Sequence, residues 1–219
     1  MKLYSGPLSM FGAKVEIALR EKGLDFELEM VPYNRQSGYQ PKHPEVLRIN
    51  PKRQVPVLID KPVEIFDSTQ IFEYLEDRWP RPPLWPASPT ECVRARQLEH
   101  ASDEVFFPHV IKLMGLRANP DPIDSPEWIQ ARDGIEQYYA KMELELADRD
   151  YLAGMFTYAD MAFYMSQFFA ARHTVPVTTD HPMLLAWRAR MAQRPAVKQV
   201  IGTMVSYLES IGLPIPAWG

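Results

Sequence analysis

The chain has 219 residues, a formal net charge of −4 at pH 7, and a composition of 46% hydrophobic and 24% charged residues. These proportions are typical of a protein with a sizeable buried core, and the lack of a dense lysine and arginine patch argues against a nucleic-acid partner. The single cysteine, Cys92, excludes an intramolecular disulfide; with no signal-peptide pattern and no bilayer-length apolar stretch, it predicts a cytoplasmic protein without a membrane partner.

Strand and helix patterns alternate in the first part of the chain. Alternating apolar residues predict strands, and apolar residues at helical spacing predict helices. Gly23 fits a helix C-terminal cap. The order, strand–helix–strand and then strand–strand–helix, is similar to the thioredoxin-like fold. In chain order the predicted elements are a strand at 2–5, a helix through 11–19, a strand at 26–30, a hairpin of strands at 57–59 and 63–66, and a helix through 71–79.

Prolines mark a boundary after this alternation. Proline at high density cannot continue a helix and makes an extended, stiff connector. We therefore predict a domain at 1–80, a proline-rich linker at 81–89 and a second domain at 90–219. The prolines concerned are Pro80, Pro82, Pro83, Pro86 and Pro89.

The part after the linker carries helical patterns and no strand signal of comparable strength. Pro108 falls inside an otherwise helical stretch and predicts a kink there. Thr157 and Asp160 have the spacing of a capping box, in which each side chain bonds the other's backbone N–H. We interpret this pair as structural.

Two neighbouring segments suggest a ligand site. Gln54-Val55-Pro56 precedes a strand, and an apolar residue before proline is where a cis bond can turn one N–H and C=O outward. Asp67 and Ser68 place a carboxylate and a hydroxyl at the start of the next helix. A backbone docking edge beside an acidic helix start suits a ligand with an amide and an ammonium group.

Four segments of the chain together resemble the cytosolic glutathione S-transferases. Each match is weak alone, but the four occur in the family's order across most of the chain. They are Leu3 to Leu19, similar to the first strand and helix; Asn50 to Leu58, similar to Asn-Pro-x-Gly-x-Val-Pro-x-Leu; Asp67 to Leu75, similar to acidic-Ser-x-x-Ile-x-x-Tyr-Leu; and Gly154 to Asp160, similar to the Ser/Thr-x-Ala-Asp capping motif.

The resemblance implies an N-terminal thioredoxin-like domain followed by an all-helical domain that contributes the electrophile pocket. It further implies a homodimer that uses glutathione as co-substrate and needs no metal. Ser9 and Met10 stand where the cysteine-type beta and omega groups carry their cysteine. The chain is therefore more similar to the serine-type bacterial members.

Ser9 is the candidate catalytic residue. A thiol with a pKa near ~8.5 is mostly protonated at neutral pH, and only the thiolate attacks electrophiles well. A hydroxyl between the first strand and helix can donate to the sulfur beside a positive helix end, and the resemblance implies this role for Ser9. The alternative is that Ser9 only caps the helix. Ser5 competes for the same role, and Tyr4 is expected to pack the strand.

The resemblance also assigns the glutathione contacts. Gln54 and Val55 would bind the backbone of the tripeptide, and Asp67 and Ser68 would hold the γ-glutamyl ammonium and carboxylate. Lys42 would meet the glycyl carboxylate, unless it is only a solvated loop residue. The alternatives for that carboxylate are His43, Gln40 and Arg53, the last of which stands where the family usually has glycine.

The second substrate is expected between the domains, against apolar side chains. Asp103 could reach the partner subunit's glutathione site in a dimer. Aromatic pairs at helical spacing are more often core than pocket, so this set is less specific than the glutathione contacts. The candidates are Phe11, Phe106, His109 and Met114, with Phe107, and with Trp218 if the C-terminal tail folds back.

The resulting expectation is a glutathione S-transferase whose thiolate attacks an apolar electrophile. One alternative is a β-aryl ether cleaving enzyme of the same family; an isomerase fits less well because the Ser-Ser-Cys-x-x-x-x-Val-Arg segment is missing. An alternative of another class is a non-catalytic regulatory protein with the same fold. Such a scaffold would have no need of Ser9, Gln54 and Asp67 together.

Overall fold

The computed structural model describes residues 1–116, 123 and 125–216. The chain packs into two compact units. The first unit comprises Met1–Leu84 together with Pro195–Gly212, and the second comprises Trp85–Arg194 with the residues from Leu213 onward. The first unit therefore includes a C-terminal segment that the predicted boundaries, 1–80 and 90–219, assign to the other domain.

The first unit is built on a four-stranded mixed sheet with the order β2-β1-β3-β4. β2 runs parallel to β1, whereas β3 is antiparallel to both β1 and β4. This is the thioredoxin-like arrangement predicted from the sequence. The strands are β1 (Lys2–Ser5), β2 (Glu27–Met30), β3 (Val57–Asp60) and β4 (Val63–Phe66).

The remaining regular structure of the described residues is helical. In chain order the helices are α1 (Met10–Glu21), α2 (Pro44–Ile49), α3 (Ser68–Arg78), α4 (Pro89–Ala101), a π-helical turn (Ser102–Phe106), α5 (Phe107–Leu116), α6 (Pro126–Glu145), α7 (Tyr158–Arg172), α8 (Pro182–Gln193) and α9 (Pro195–Ser210).

Two of these helices depart from the sequence prediction. The six-residue α2 was not predicted, because Pro44 reads as a helix breaker when it in fact occupies the first turn, where its missing N–H costs nothing. Helix α9 packs on α1 within the first unit. An amphipathic pattern can predict a helix, but it does not say which core the apolar face covers.

A buried lysine fixes the segment that follows α3. The Lys22 side chain is fully buried, and its ammonium donates to the carbonyl oxygens of Trp79 at 2.7 Å and Pro82 at 3.0 Å. The same nitrogen lies 2.7 Å from a Glu76 carboxylate oxygen, and that carboxylate accepts the backbone N–H of Leu84. The first prolines of the predicted linker are thus part of the first unit.

The second unit has an aromatic core. Phe106 lies 5.2 Å from the rings of Tyr138 and Phe163, and Phe163 lies 5.6 Å from that of Trp187. A π-helical turn lies just before Pro108, where a kink was predicted, and in it the Phe107 N–H bonds the Ser102 carbonyl. Widening the turn accommodates a proline ring that would clash with a carbonyl of an ordinary helix.

The predicted capping box is present at the start of α7. The Thr157 N–H donates to Asp160 Oδ2 at 2.9 Å, and Oδ1 of the same carboxylate accepts from the Leu152 N–H at 3.0 Å and the Trp187 indole at 2.8 Å. Burial raises the pKa of Asp160 to about 6 even though these donors oppose the shift. The residue is therefore a structural hub, as interpreted from the sequence.

Among the helices that the structure describes, none has both the length and the apolar character needed to cross a bilayer.

Candidate functional site

Ser9 lies at the junction between β1 and α1, where it is the N-cap of the helix. Its hydroxyl oxygen accepts the Gly12 N–H at 3.0 Å, and the residue is 8% exposed. A hydroxyl that accepts through a lone pair keeps its hydrogen for another acceptor. Capping and thiolate stabilisation are therefore compatible, and the partial positive charge of the helix N-terminus favours an anion at this point.

Ser5, the alternative hydroxyl, is more deeply placed. It is 1% exposed, and its Oγ has no hydrogen-bond partner in the part of the chain that the structure describes. A Cβ added at Gly12 would lie 2.1 Å from this oxygen, so Ser5 packs directly beneath the first turn of α1. Tyr4 belongs to the core formed with Val31 and Val57, the strand-packing role expected of it.

The segment before β3 is shaped by Asn50. Its side-chain nitrogen donates to the Gln54 carbonyl at 2.6 Å and its oxygen accepts the Lys52 N–H at 2.9 Å. The bond between Val55 and Pro56 is cis, as expected from the sequence. Arg53 adopts φ of 56°, a left-handed conformation that glycine adopts freely, which explains why glycine suits this position.

Asp67 and Ser68 begin α3 beside that segment. Oδ1 of Asp67 accepts the Thr69 N–H at 3.1 Å, which caps the helix, while Oδ2 lies 3.8 Å from the Lys52 ammonium. One carboxylate oxygen therefore serves the fold and the other faces a cation. An incoming ammonium group would share this oxygen with Lys52, a residue that the sequence reasoning missed although it occupies the same turn as Gln54.

The four candidates for the glycyl carboxylate differ in their contacts with the rest of the chain. His43 accepts the Glu45 N–H at 3.2 Å through Nδ1 and caps α2, and its ring lies 4.9 Å from that of Tyr4. The Lys42 ammonium stands 6.0 Å from the ring of Tyr39. Gln40 and Arg53 are exposed.

The predicted second-substrate residues have different environments. Phe106 is fully buried in the aromatic core, so it offers no surface to a ligand. His109 packs on Gly134, where a Cβ would lie 2.3 Å from the imidazole, and burial lowers its pKa. It lines a cleft of about 640 Å³ with Val105 and Lys141.

The other predicted second-substrate residues range from buried to exposed. Phe11 is half-buried with the Lys14 ammonium 5.3 Å from its ring, and Met114 is 40% exposed. Phe107 is 5% exposed and Asp103 is 9% exposed. Trp218 lies outside the described residues.

Comparison with known proteins decides the family. Residues 3–83 match the model of the glutathione S-transferase N-terminal domain, and residues 101–195 match that of the C-terminal domain. A zeta-class glutathione S-transferase from Euphorbia esula is 31% identical over 205 residues, which cover 89% of this chain and 87% of that protein. The chain belongs to the glutathione S-transferase family.

Two further relatives of this glutathione S-transferase family member differ in how much of the chain they cover. A glutathione S-transferase structure from Methylobacterium radiotolerans, in complex with glutathione sulfonate, has 30% identity and a TM-score of 0.76 over 91% of this chain and 93% of that one. A stringent starvation protein A homolog from Coxiella burnetii is 35% identical over 114 residues, which span 52% of this chain and 51% of that protein.

Proposed function

We propose that this family member is a glutathione transferase of the serine type, in which the Ser9 hydroxyl donates to the sulfur of bound glutathione. The observation that carries the proposal is the position of that hydroxyl at the N-terminus of α1, 8% exposed and oriented by the Gly12 N–H. Hydrogen bonding and the helix end both favour the charged thiolate, so they lower the thiol pKa.

The chemical step is attack of the thiolate on an electrophilic carbon. A sulfur–carbon bond forms from the thiolate electron pair, and either a leaving group departs with its bonding electrons or the electron pair of a double bond moves and is protonated. The protein supplies orientation and sulfur ionisation. The electrophile is proposed to be small and apolar.

The remainder of glutathione would lie along the sheet edge and the start of α3. Val55 and Gln54 would pair with the tripeptide backbone, and Oδ2 of Asp67, which faces the Lys52 ammonium, would also meet the γ-glutamyl ammonium. Ser68 and the first N–H groups of α3 would hold the adjacent carboxylate. Lys42 would approach the glycyl carboxylate, since His43 is engaged in capping α2.

The test is a Ser9→Ala variant with Ser5→Ala as the matched control. We expect Ser9→Ala to bind glutathione in calorimetry but to lose about a hundredfold in turnover of a chlorinated nitrobenzene, because one donor to a developing or existing anion is removed. Ser5→Ala should keep turnover near that of the native chain. Full activity in Ser9→Ala would remove the assigned role, and no heat of glutathione binding to the native chain would remove the proposed function.

The alternative of another class, regulatory binding without turnover, stays a prediction. Native protein that binds glutathione but converts no substrate would support it. Ether cleavage and isomerisation are alternative reactions of the same proposed thiolate, and a screen of glutathione-dependent reactions would separate them. A cytoplasmic homodimer remains part of the proposal.

A further inference from the structure

Tyr39 covers the turn that carries Ser9. A Cβ added at Gly6 would lie 2.5 Å from Tyr39 ring atoms, so the phenol ring occupies the space that a side chain at Gly6 would need. Gly6 and Ser9 are the two ends of this turn, joined by a bond of 3.1 Å from the Ser9 N–H to the Gly6 carbonyl. Tyr39 thus rests on the first residue of the turn that ends at the candidate catalytic hydroxyl.

Tyr39 also bonds the turn directly. The Leu8 N–H donates to the Tyr39 hydroxyl oxygen at 3.0 Å. Leu8 immediately precedes Ser9, so this bond fixes the backbone one peptide unit before the N-cap. The turn 6–9 is therefore held both by the face of the ring and by the hydroxyl of one residue, which lies thirty-one positions along the chain from Leu8.

The loop that carries Tyr39 is itself supported from the core of the first unit. The Tyr33 ring lies 5.0 Å from that of Tyr39, and the Tyr207 hydroxyl of α9 donates to the Tyr33 carbonyl at 3.2 Å. Tyr39 packs against the core formed by Tyr4, Val31, Val46 and Val57. Lys42, proposed for the glycyl carboxylate, follows Tyr39 by three positions and stands beside its ring.

From these contacts we infer that Tyr39 is a positioning residue that couples the two ends of the glutathione site. It sets the distance between the loop that meets the glycyl carboxylate and the turn that presents the Ser9 hydroxyl. This inference rests on the proposed function. Without the Tyr39 hydroxyl the two parts move independently, so ligand binding must pay the cost of ordering them, and the thiolate receives a less well-aligned donor.

A Tyr39→Phe variant tests the hydroxyl, with Tyr74→Phe as the matched control. Phenylalanine keeps the ring over Gly6 and removes the bond to Leu8, whereas the Tyr74 hydroxyl bonds Asp60 at 2.7 Å. We expect Tyr39→Phe to raise KM for glutathione about fivefold, the effect of one lost hydrogen bond. The pKa of the bound thiol, followed by thiolate absorbance, should rise. Tyr74→Phe should change neither.

A double-variant cycle tests the ring. Gly6→Ala forces the ring from its place and should weaken glutathione binding at least as much as Tyr39→Phe. In a Tyr39→Ala background that space is empty, so adding Gly6→Ala should cost little more, and the two effects should be strongly non-additive. Thermal unfolding of each variant checks that the fold persists.

The outcomes separate this inference from the function on which it rests. Native protein that binds no glutathione removes both. Native protein that binds and turns over, with Tyr39→Phe equal to it in KM and thiol pKa, overturns the coupling alone. Additive effects of Gly6→Ala and Tyr39→Ala would equally overturn it, because they would mean that the ring and the turn act separately.

Discussion

Arg53 stands where the family usually has glycine, and this single residue adds backbone strain to the folded chain. Its side chain is exposed, yet its backbone φ of 56° lies in the left-handed region that non-glycine residues adopt at a cost of about 1 kcal/mol. The conformation is imposed by Asn50, which bonds both the Lys52 N–H and the Gln54 carbonyl. The neighbouring residues thus fix the backbone whichever side chain stands at this position.

An Arg53→Gly variant should therefore unfold at higher denaturant concentration. We expect the free energy of unfolding to rise by about 0.5 kcal/mol, because the relief of left-handed strain exceeds the entropy that glycine adds to the unfolded chain. Urea denaturation followed by circular dichroism measures this. Arg35→Gly, at an exposed loop position without a positive φ, should be neutral or destabilising; a shift of equal sign and size in both variants would contradict the explanation.

Tyr39 could not be predicted as a site residue from local sequence patterns. Ser9, Gln54 and Asp67 were identified because each occupies a recognisable local pattern: a strand–helix junction, a residue before Val-Pro, a helix start. Tyr39 stands in a polar loop with no such pattern. Its importance arises from a contact with Gly6 and Leu8 that only the folded chain creates.

At the scale of elements, the start of α7 depends on a single carboxylate. Asp160 accepts from Leu152, Thr157 and Trp187, so it joins the preceding loop, its own helix and α8. Its pKa is raised to about 6 by burial, against a reference of 3.8. Because the folded state holds the proton more tightly, the contribution of Asp160 to stability rises as the pH falls from about 6 toward the unfolded value.

An Asp160→Asn variant should be less stable by about 2 kcal/mol at neutral pH, since an amide nitrogen would face N–H donors. The native chain should gain about 1 kcal/mol relative to the variant between pH 7 and pH 5, so the gap between the two should widen on acidification. Urea denaturation at both pH values measures it. Asp148→Asn removes one exposed carboxylate charge, so the stability difference between the native chain and this variant should be the same at both pH values. A difference between the native chain and Asp160→Asn that narrows on acidification would contradict the raised pKa of Asp160.

The four strands and helices such as α1 and α3 could be predicted because each carries its signal locally. Period-two alternation in β2 and the apolar stripe of α3 are present within a few residues. Helix α2 was missed because it is short and starts with proline, and Phe106 was placed near a pocket because helical spacing says which residues share a face but not what that face contacts. Packing partners are a property of the fold, not of the segment.

At the scale of the whole molecule, the first unit is discontinuous in sequence. Residues Pro195–Gly212 belong to it, and their helix α9 packs on α1. The buried face of α9 includes Val197, Val200, Met204 and Leu208. The proline segment predicts a boundary, but no local signal in the sequence indicates that the chain returns to the first unit.

A chain ending at Arg194 should therefore lose the first unit's stability. Each large apolar side chain of α9 contributes about 2 kcal/mol through burial, so the loss of four exceeds half the stability of a typical domain. We expect a lower melting temperature and no glutathione binding. A chain ending at Gly212 keeps α9 and serves as the control. A stable, binding-competent chain without α9 would show that the predicted boundary, with α9 in the helical domain, is the functional one.

Lys22 has a practical consequence for dissecting this protein. Its ammonium donates to the backbone carbonyls of Trp79 and Pro82 and pairs with the Glu76 carboxylate, which accepts the Leu84 N–H. A recombinant fragment cut at Pro80 would leave this buried cation with Trp79 and Glu76 but without the Pro82 carbonyl, one of its three partners. The first segment of such a fragment should therefore extend through Leu84, whose N–H bonds Glu76, and the fragment also needs α9, which packs on α1.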